Sequence, residues 1–276
     1  MRIEFTKMHG LGNDFIVLDL PAEAALPTEA QWRALSNRHT GVGFDQALVL
    51  QPPRRPGTDT FYRVFNADGH EVEQCGNGAR CVAALLHRRG RRNGETIAMD
   101  CNAGLMRAKV LAGDLVSIDL GVPNFDPKSL PFDVPAQNAS YTLVAGGESI
   151  ELSAVSIGNP HAVLRVEAVE SAPVERIGRA LQSNAHFPRQ VNVGFMQVLD
   201  TANIRLRVYE RGVGETLACG TGACAAAVVG RHLGLLGTDV EVRVPGGALS
   251  VHWSGPGQSV WLTGPAQQAF EGRVDI

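Results

Sequence analysis

Apolar and polar positions alternate along much of this chain. Period-two runs predict strands over residues 2–6, 15–20, 60–65, 105–111 and 116–120, and again over 149–156, 162–166, 204–209, 240–244 and 249–253. Helical periodicity is rarer. Thr28-Glu-Ala-Gln31 is a capping-box start to a helix running near His39, and 174–182 carries a second amphipathic pattern. Residues 76–89 and 220–233 are Ala-rich and apolar on most sides, which predicts two helices enclosed in the interior.

Each apolar helix follows a Cys-Gly-x-Gly turn, and these turns belong to a longer repeat. RVFN at 63–66 falls on RVYE at 207–210. At the same offset Glu71 falls on Glu215, and Cys75-Gly-Asn-Gly-Ala on Cys219-Gly-Thr-Gly-Ala. At an offset two residues longer, Gly12-Asn13 falls on Gly158-Asn159, Phe15-Ile-Val-Leu on His161-Ala-Val-Leu, and Gln46 on Asn192. Two copies of one unit follow, roughly 1–118 and 145–264, each expected to be a curved mixed sheet around one apolar helix. Between them 121–138 is studded with Pro123, Pro127, Pro131 and Pro135, and reads as an extended connector. Gln51-Pro-Pro-Arg-Arg-Pro-Gly57 reads as a surface loop.

Composition narrows the class. Gly supplies 31 of 276 residues, above the usual ~7 %, which asks for tight turns and close backbone approach. An apolar share of 44 % excludes a disordered chain, and a net charge of −3 offers no global basic field for nucleic acid. No apolar run reaches the ~18 residues a membrane helix needs, and MRIEFTKMHG lacks the apolar stretch of a signal peptide. Five cysteines, an odd number, argue against a disulfide framework and for a reduced, cytosolic protein. The lysines are Lys7, Lys109 and Lys128 alone, so a Schiff-base mechanism would need one of these three.

The chemistry concentrates at the two turns. A helix start has unpaired N–H groups and a partial positive charge, so a Cys there is expected to have its thiolate favoured, and glycines admit a bound anion. Duplicated thiols suit inversion at one carbon: one group removes a proton from one face and the other returns a proton to the opposite face. Two helix starts aimed at the carbanion's carboxylate would stabilise its charge without pyridoxal. Cys81, Cys101 and Cys224 read instead as small core residues. Spacings of C-x5-C and C-x4-C lack zinc knuckles, so no metal is expected, and the missing Gly-Lys-[Ser/Thr] excludes a P-loop. His87-Arg-Arg-Gly-Arg-Arg92 reads as cations at a helix C-terminus capped by Gly90. His39, His186 and His252 read as surface or capping groups.

MHGLGNDF at 8–15, GVGFDQ at 41–46, FNADG at 65–69, QCGNGARC at 74–81, GNPH at 158–161, NVGFMQV at 192–198, YERGVGET at 209–216 and ACGTGA at 218–223 together resemble the diaminopimelate epimerase family over nearly the whole chain. The resemblance implies an α+β fold of two similar lobes from internal duplication, each a mixed barrel-like β-sheet wrapped around a central α-helix. It implies an N-terminal lobe of 1–119 plus 265–276, a C-terminal lobe of 120–264, and an active site in the cleft between them. It further implies cofactor-independent interconversion of LL- and meso-diaminopimelate in lysine biosynthesis, by a cytoplasmic homodimer with no nucleic-acid or membrane partner.

Matched position by position, Cys75 and Cys219 are the acid and base. Asn13, Gln46, Asn66, Gly76, Asn77, Asn159, Asn192, Glu210, Arg211, Gly220 and Thr221 are substrate-binding, and His161 and Glu210 adjust the thiols' protonation. For a substrate with two amino-acid ends, Arg211 suits the distal carboxylate and Glu210 the distal ammonium. Asn66 aligned with Glu210, and Phe15 with His161, break the symmetry of the duplicated frame. Phe270 stands where some members carry a Tyr at dimer contacts. A proline racemase or hydroxyproline epimerase is the nearest rival, although those show Cys-Gly-His where this chain has Cys75-Gly-Asn77. A thiol-dependent hydrolase or transferase using His161 as base is the rival of another class, and it leaves one Cys-Gly-x-Gly turn unexplained.

Overall fold

A computed structural model describes residues 2–90 and 96–275. Its elements in chain order are β1 (Arg2–Gly10), β2 (Asn13–Asp19), α1 (Glu29–Ser36), β3 (Gln46–Gln51), β4 (Thr60–Asn66), β5 (Glu71–Val72), α2 (Gly76–Arg88), β6 (Ile97–Cys101), β7 (Gly104–Val110) and β8 (Leu115–Asp119). There follow β9 (Tyr141–Ala145), β10 (Glu148–Ser156), β11 (Pro160–Arg165), α3 (Val174–Gln182), β12 (Asn192–Asp200), β13 (Asn203–Glu210), β14 (Gly214–Thr216), α4 (Gly220–His232), β15 (Asp239–Val244), β16 (Gly247–Trp253), β17 (Val260–Pro265) and β18 (Gln267–Asp275). The chain divides into two compact units, Met1–Ile118 with Gly264–Ile276, and Asp119–Thr263.

The two units share one pairing scheme. In the first, β1 lies between β2 and β18, antiparallel to both. Strand β2 runs parallel to β3, β3 antiparallel to β4, and β4 is antiparallel to β5 and parallel to β6, which turns back into β7. In the second unit β10 lies between β9 and β11. The series β11, β12, β13, β14, β15 and β16 then repeats the same order and directions. This is an α+β fold made by duplication. The shared frame extends to side chains: Arg63 grips Glu71 across β4 and β5, and Arg207 grips Glu215 across β13 and β14, each with two N–H groups.

The apolar segments become the enclosed helices. Every residue of α2 from Asn77 to Leu86 is buried, and α4 is buried from Gly222 to Gly230. Strands β1, β2, β6, β7 and β18 pack around α2, and β10 to β13 with β15 and β16 around α4. The outer helices cover the opposite faces. Trp32 of α1 stacks on Phe65 at a centroid distance of 5.3 Å, and Ile177 and Leu181 of α3 join Phe195 and Tyr209 in the second core.

Helix α1 stops at Ser36, short of His39. The Thr28–Gln31 capping box forms, but Asn37 leaves the helical region and its Oδ1 accepts the N–H groups of His39 and Thr40 at 2.8 and 3.1 Å. A local side-chain turn thereby competes with the helix and ends it. The connector is a second correction: it is not simply extended. Residues Pro127–Ser129 form a 3-10 turn, and Leu130 and Phe132 are buried in the second unit's core, where Phe132 stacks on Phe187 at 4.5 Å. Prolines set the turn, and the apolar residues between them supply the burial that holds it. The loop after Gln51 is exposed as expected, and α2 ends with Gly90 at φ +67. Arg88 pairs with Asp114 at 2.9 Å and Arg89 with Asp19, whereas Arg91 and Arg92 lie outside the described residues.

Because Phe132 is a core residue, Phe132→Ala should cost roughly 3–5 kcal/mol in denaturant unfolding. Val122→Ala, in the exposed start of the same connector, should stay within about 0.5 kcal/mol. Equal, small effects in both variants would restore the picture of a passive linker.

Candidate active site

In each unit the sheet's parallel strands and the enclosed helix begin at one rim, and the predicted site residues gather there. In the first unit Phe15 of β2 pairs with Gln46, the first residue of β3, and Gln46 pairs with Asn66, the last of β4. In the second, His161 of β11 pairs with Asn192, the first residue of β12, and Glu210 closes β13. Cys75 is the N-cap of α2 and Cys219 the N-cap of α4, both in extended conformation. The first intrahelical bonds run from Ala79 N–H to Cys75 O and from Ala223 N–H to Cys219 O, so the N–H groups before them have no intrahelical acceptor.

Around Cys75 the partners are amides. Its Sγ lies 3.9 Å from Asn13 Oδ1, which also accepts from Asn77 Nδ2 at 3.2 Å. Gln46 Nε2 donates to Asn66 Oδ1 at 2.8 Å, and Gln46 Oε1 is a buried acceptor without a partner among the described residues. Such an acceptor suits an ammonium.

Around Cys219 the partners are charged or hydroxylic. Its thiol donates to Glu210 Oε2 at 3.0 Å, Thr216 Oγ1 donates to Glu210 Oε1 at 2.6 Å, and Thr221 Oγ1 lies 3.7 Å from the sulfur. Asn159 Nδ2 donates to Thr221, and Asn159 Oδ1 faces His161 Nε2 at 2.9 Å, so His161 reaches Cys219 through two intervening side chains. Asn192 holds the rim itself: Nδ2 donates to Pro160 O and Oδ1 accepts Arg211 N–H. The Arg211 guanidinium is exposed and touches Arg189 O at 3.3 Å.

The thiolate expected at a helix start does not hold for Cys219. Burial, then the charge and hydrogen bond of Glu210, push this thiol well above its ordinary value, and the Gly222 N–H and Thr221 only partly offset them. His161 is moved the other way, down to about 3, by burial and by Arg211. It is neutral at pH 7, and with Asn159 Oδ1 as acceptor the proton sits on Nε2. The glycines also divide differently from expectation. A Cβ on Gly78 would meet Leu48, on Gly220 Leu262, and on Gly222 Val208, so these serve packing, whereas Gly76 faces open space.

Cys81, Cys101 and Cys224 are buried, as expected for core residues. Lys7 is no candidate for covalent chemistry, since it is buried and salt-bridged to Asp14 at 2.5 Å. Among the described residues no group of three or more His, Cys, Asp or Glu side chains could hold a metal ion, and no helix is long and apolar enough to cross a membrane. Asp45, Arg80 and Thr216 also bond site residues, and the sequence assigned none of them a role although each lies in a motif quoted above, GVGFDQ, QCGNGARC and YERGVGET respectively.

Residues 5–125 and 153–269 match the family model described as diaminopimelate epimerase. A protein from Alkalilimnicola ehrlichii named diaminopimelate epimerase is 50 % identical over the whole of both chains. A PhzF-family phenazine biosynthesis protein from Bacillus anthracis superposes with a TM-score of 0.70 at 15 % identity, covering both chains fully. A hydroxyproline epimerase from Agrobacterium vitis superposes with a TM-score of 0.68 at 17 % identity, covering 99 % of this chain and 92 % of that one. At these identities the two structures speak to the fold alone.

His161 gives the second unit an acid weakness. Its pKa is lower folded than unfolded, so the stability it contributes is complete above about pH 6.5 and drains away as pH falls toward about 3. His161→Gln should flatten the fall of stability between pH 6 and 4 by up to ~1.4 kcal/mol per pH unit, one proton's worth. An unchanged slope in urea titrations would show that the imidazole is not held neutral. For the thiol, Glu210→Gln should speed iodoacetamide alkylation of Cys219 several-fold at pH 8, because a like charge is removed. Slower or unchanged alkylation would contradict the carboxylate's opposing effect.

Proposed function

This chain belongs to the diaminopimelate epimerase family, and we propose that it interconverts LL- and meso-2,6-diaminopimelate with Cys75 and Cys219 as the two proton-transfer groups and no cofactor. The observation that carries the reading is the pair of N-cap thiols on twinned helices with unlike neighbours, amides at Cys75 and a carboxylate at Cys219.

Glu210 accepts the Cys219 S–H and is placed to receive its proton. The thiolate then takes the α-proton from one face of the substrate carbon, and the carbon–hydrogen electron pair delocalises onto the carboxylate. Cys75 donates its proton to the other face and is left as thiolate. In the reverse direction the roles exchange, since the path is the same. N–H groups at the starts of α2 and α4, from Gly76 and Asn77 and from Gly220 and Thr221, hold the carboxylate and stabilise the carbanion. Each proton transfer assisted this way is worth roughly 10²–10⁴-fold.

Recognition of the far amino-acid end falls to Arg211, whose exposed guanidinium suits a carboxylate, with Asn159, Asn66 and Gln46 as mixed donors and acceptors. That need for a second charged end favours diaminopimelate over proline or hydroxyproline. The family reading extends to a cytosolic homodimer with Phe270, exposed on β18 and edge-on to Phe5, at the contact.

In D₂O the reduced protein should place deuterium at the α-carbon of LL-diaminopimelate without added cofactor and leave proline untouched. Cys75→Ala and Cys219→Ala should each lose epimerisation, and Cys101→Ala should retain it. Exchange into proline alone, or full epimerisation by either of the first two variants, would sink the proposal.

A further inference from the structure

Asn13 and Asn77 form the middle of a four-member chain with a charged group at each end. Asp45 Oδ2 accepts from Asn13 Nδ2 at 3.0 Å, Asn77 Nδ2 donates to Asn13 Oδ1 at 3.2 Å, and Arg80 Nη2 donates to Asn77 Oδ1 at 2.8 Å. A side-chain amide can be turned either way, and its two orientations have nearly the same shape. The ends of this chain remove that freedom. A guanidinium only donates and an ionised carboxylate only accepts, so both amides between them have one orientation that satisfies every bond. In that orientation an oxygen, not an NH₂ group, faces Cys75 Sγ.

Both ends are themselves fixed. Asp45 Oδ1 accepts from Arg38 at 2.8 Å, and its Oδ2 also accepts Asp14 N–H at 3.1 Å. Arg38 holds both Asp14 oxygens, and Lys7 bonds one of them. Burial disfavours the charged form of Asp14, but Arg38 and Lys7 outweigh it and keep this carboxyl ionised. Arg80 is wholly buried and its Nε donates to Pro265 O at 3.3 Å.

We propose that Asp45 and Arg80 are positioning residues for Cys75, setting the turn of the Asn13 amide so that the thiol meets an acceptor and stays a proton donor in the resting enzyme. This rests on Cys75 being one of the two proton-transfer groups. It supplies an asymmetry that the reaction needs, because one thiol must hold its proton while the other gives its proton to Glu210. Tyr62 of β4 and Cys81 of α2 also lie in electrostatic reach of Cys75, and both are buried, pushed up and neutral at working pH. Asp14, Lys7 and Arg38 are paired with one another.

The test is the pH dependence of iodoacetamide labelling of Cys75, read by peptide mass spectrometry in Cys219→Ala protein. Each arm alone is enough to turn the amide. Asp45→Ala leaves the Arg80–Asn77 arm demanding an oxygen from Asn13, and Arg80→Met leaves Asp45 demanding its NH₂, so in neither single variant should the labelling midpoint fall by more than about 0.3 unit. With Asp45→Ala and Arg80→Met together both amides are free to turn, an N–H can face the sulfur and stabilise thiolate, and the midpoint should fall by about one pH unit. Loss of the Arg80 charge by itself would raise the midpoint, and a general loosening of the site would move the single variants too. Any pattern other than a fall confined to the double variant overturns the proposal. The labelling needs no turnover, so it stays readable should the exchange assay in D₂O fail.

Discussion

A helix enclosed by a sheet has few places to put the unpaired N–H groups of its first turn. They cannot be left in the apolar interior, where an unsatisfied donor costs ~1–3 kcal/mol, so the helix must start at the rim of the sheet. Helices α2 and α4 obey this, and the residue at the threshold of each is a cysteine. The rim is also where parallel β2 and β3, and β11 and β12, begin, so Asn13, Gln46, Asn159 and Asn192 arrive there from the same requirement. The site follows from burying two Ala-rich segments.

Duplication gives two equivalent rims, and the chemistry depends on their ceasing to be equivalent. The frame is preserved where it bears on packing: Arg63–Glu71 and Arg207–Glu215 tie the same strand pairs in both units. It departs where it meets the thiols. An amide stands at Asn66 where a carboxylate stands at Glu210, and apolar Phe15 stands where His161 lies. A carboxylate can take a proton and an amide cannot, so two similar thiols acquire different partners by a few substitutions in a common scaffold.

Most of the architecture was legible because it is periodic. Half-buried strands such as β7, β13 and β16 alternate, and the repeat exposed the second unit. Strands β3 and β12 were not legible, since QALVLQ and NVGFMQVLD are buried on both faces of parallel pairing and show no alternation. Strand β18 was missed for the opposite reason: its residues are largely exposed, and only pairing to β1 makes it a strand. At the site, residue types and turns marked Cys75 and Cys219, but not how burial and Glu210 would act on Cys219. A helix start argues for thiolate, and desolvation is a tertiary quantity that no local motif encodes. Arg80 was hidden for a similar reason, being a cation in an apolar helix whose partners, Asn77 and Pro265, lie nearly two hundred residues apart.

The same burial that differentiates the thiols weakens the fold in acid. His161 is enclosed at 1 % exposure beside Arg211 and is held neutral at pH 7, a form the unfolded chain abandons below about pH 6.5. An apolar residue such as Phe15, its counterpart in the first unit, carries no such cost. The imidazole nonetheless donates to Asn159 Oδ1, which turns that amide's NH₂ toward Thr221, whose hydroxyl lies beside Cys219. In both units, then, a side-chain amide is turned by a group at its far end and presents one chosen atom toward a thiol's surroundings. In the first unit charged groups paired with their neighbours do the turning, whereas in the second a neutral ring does it, and stability in acid falls with it.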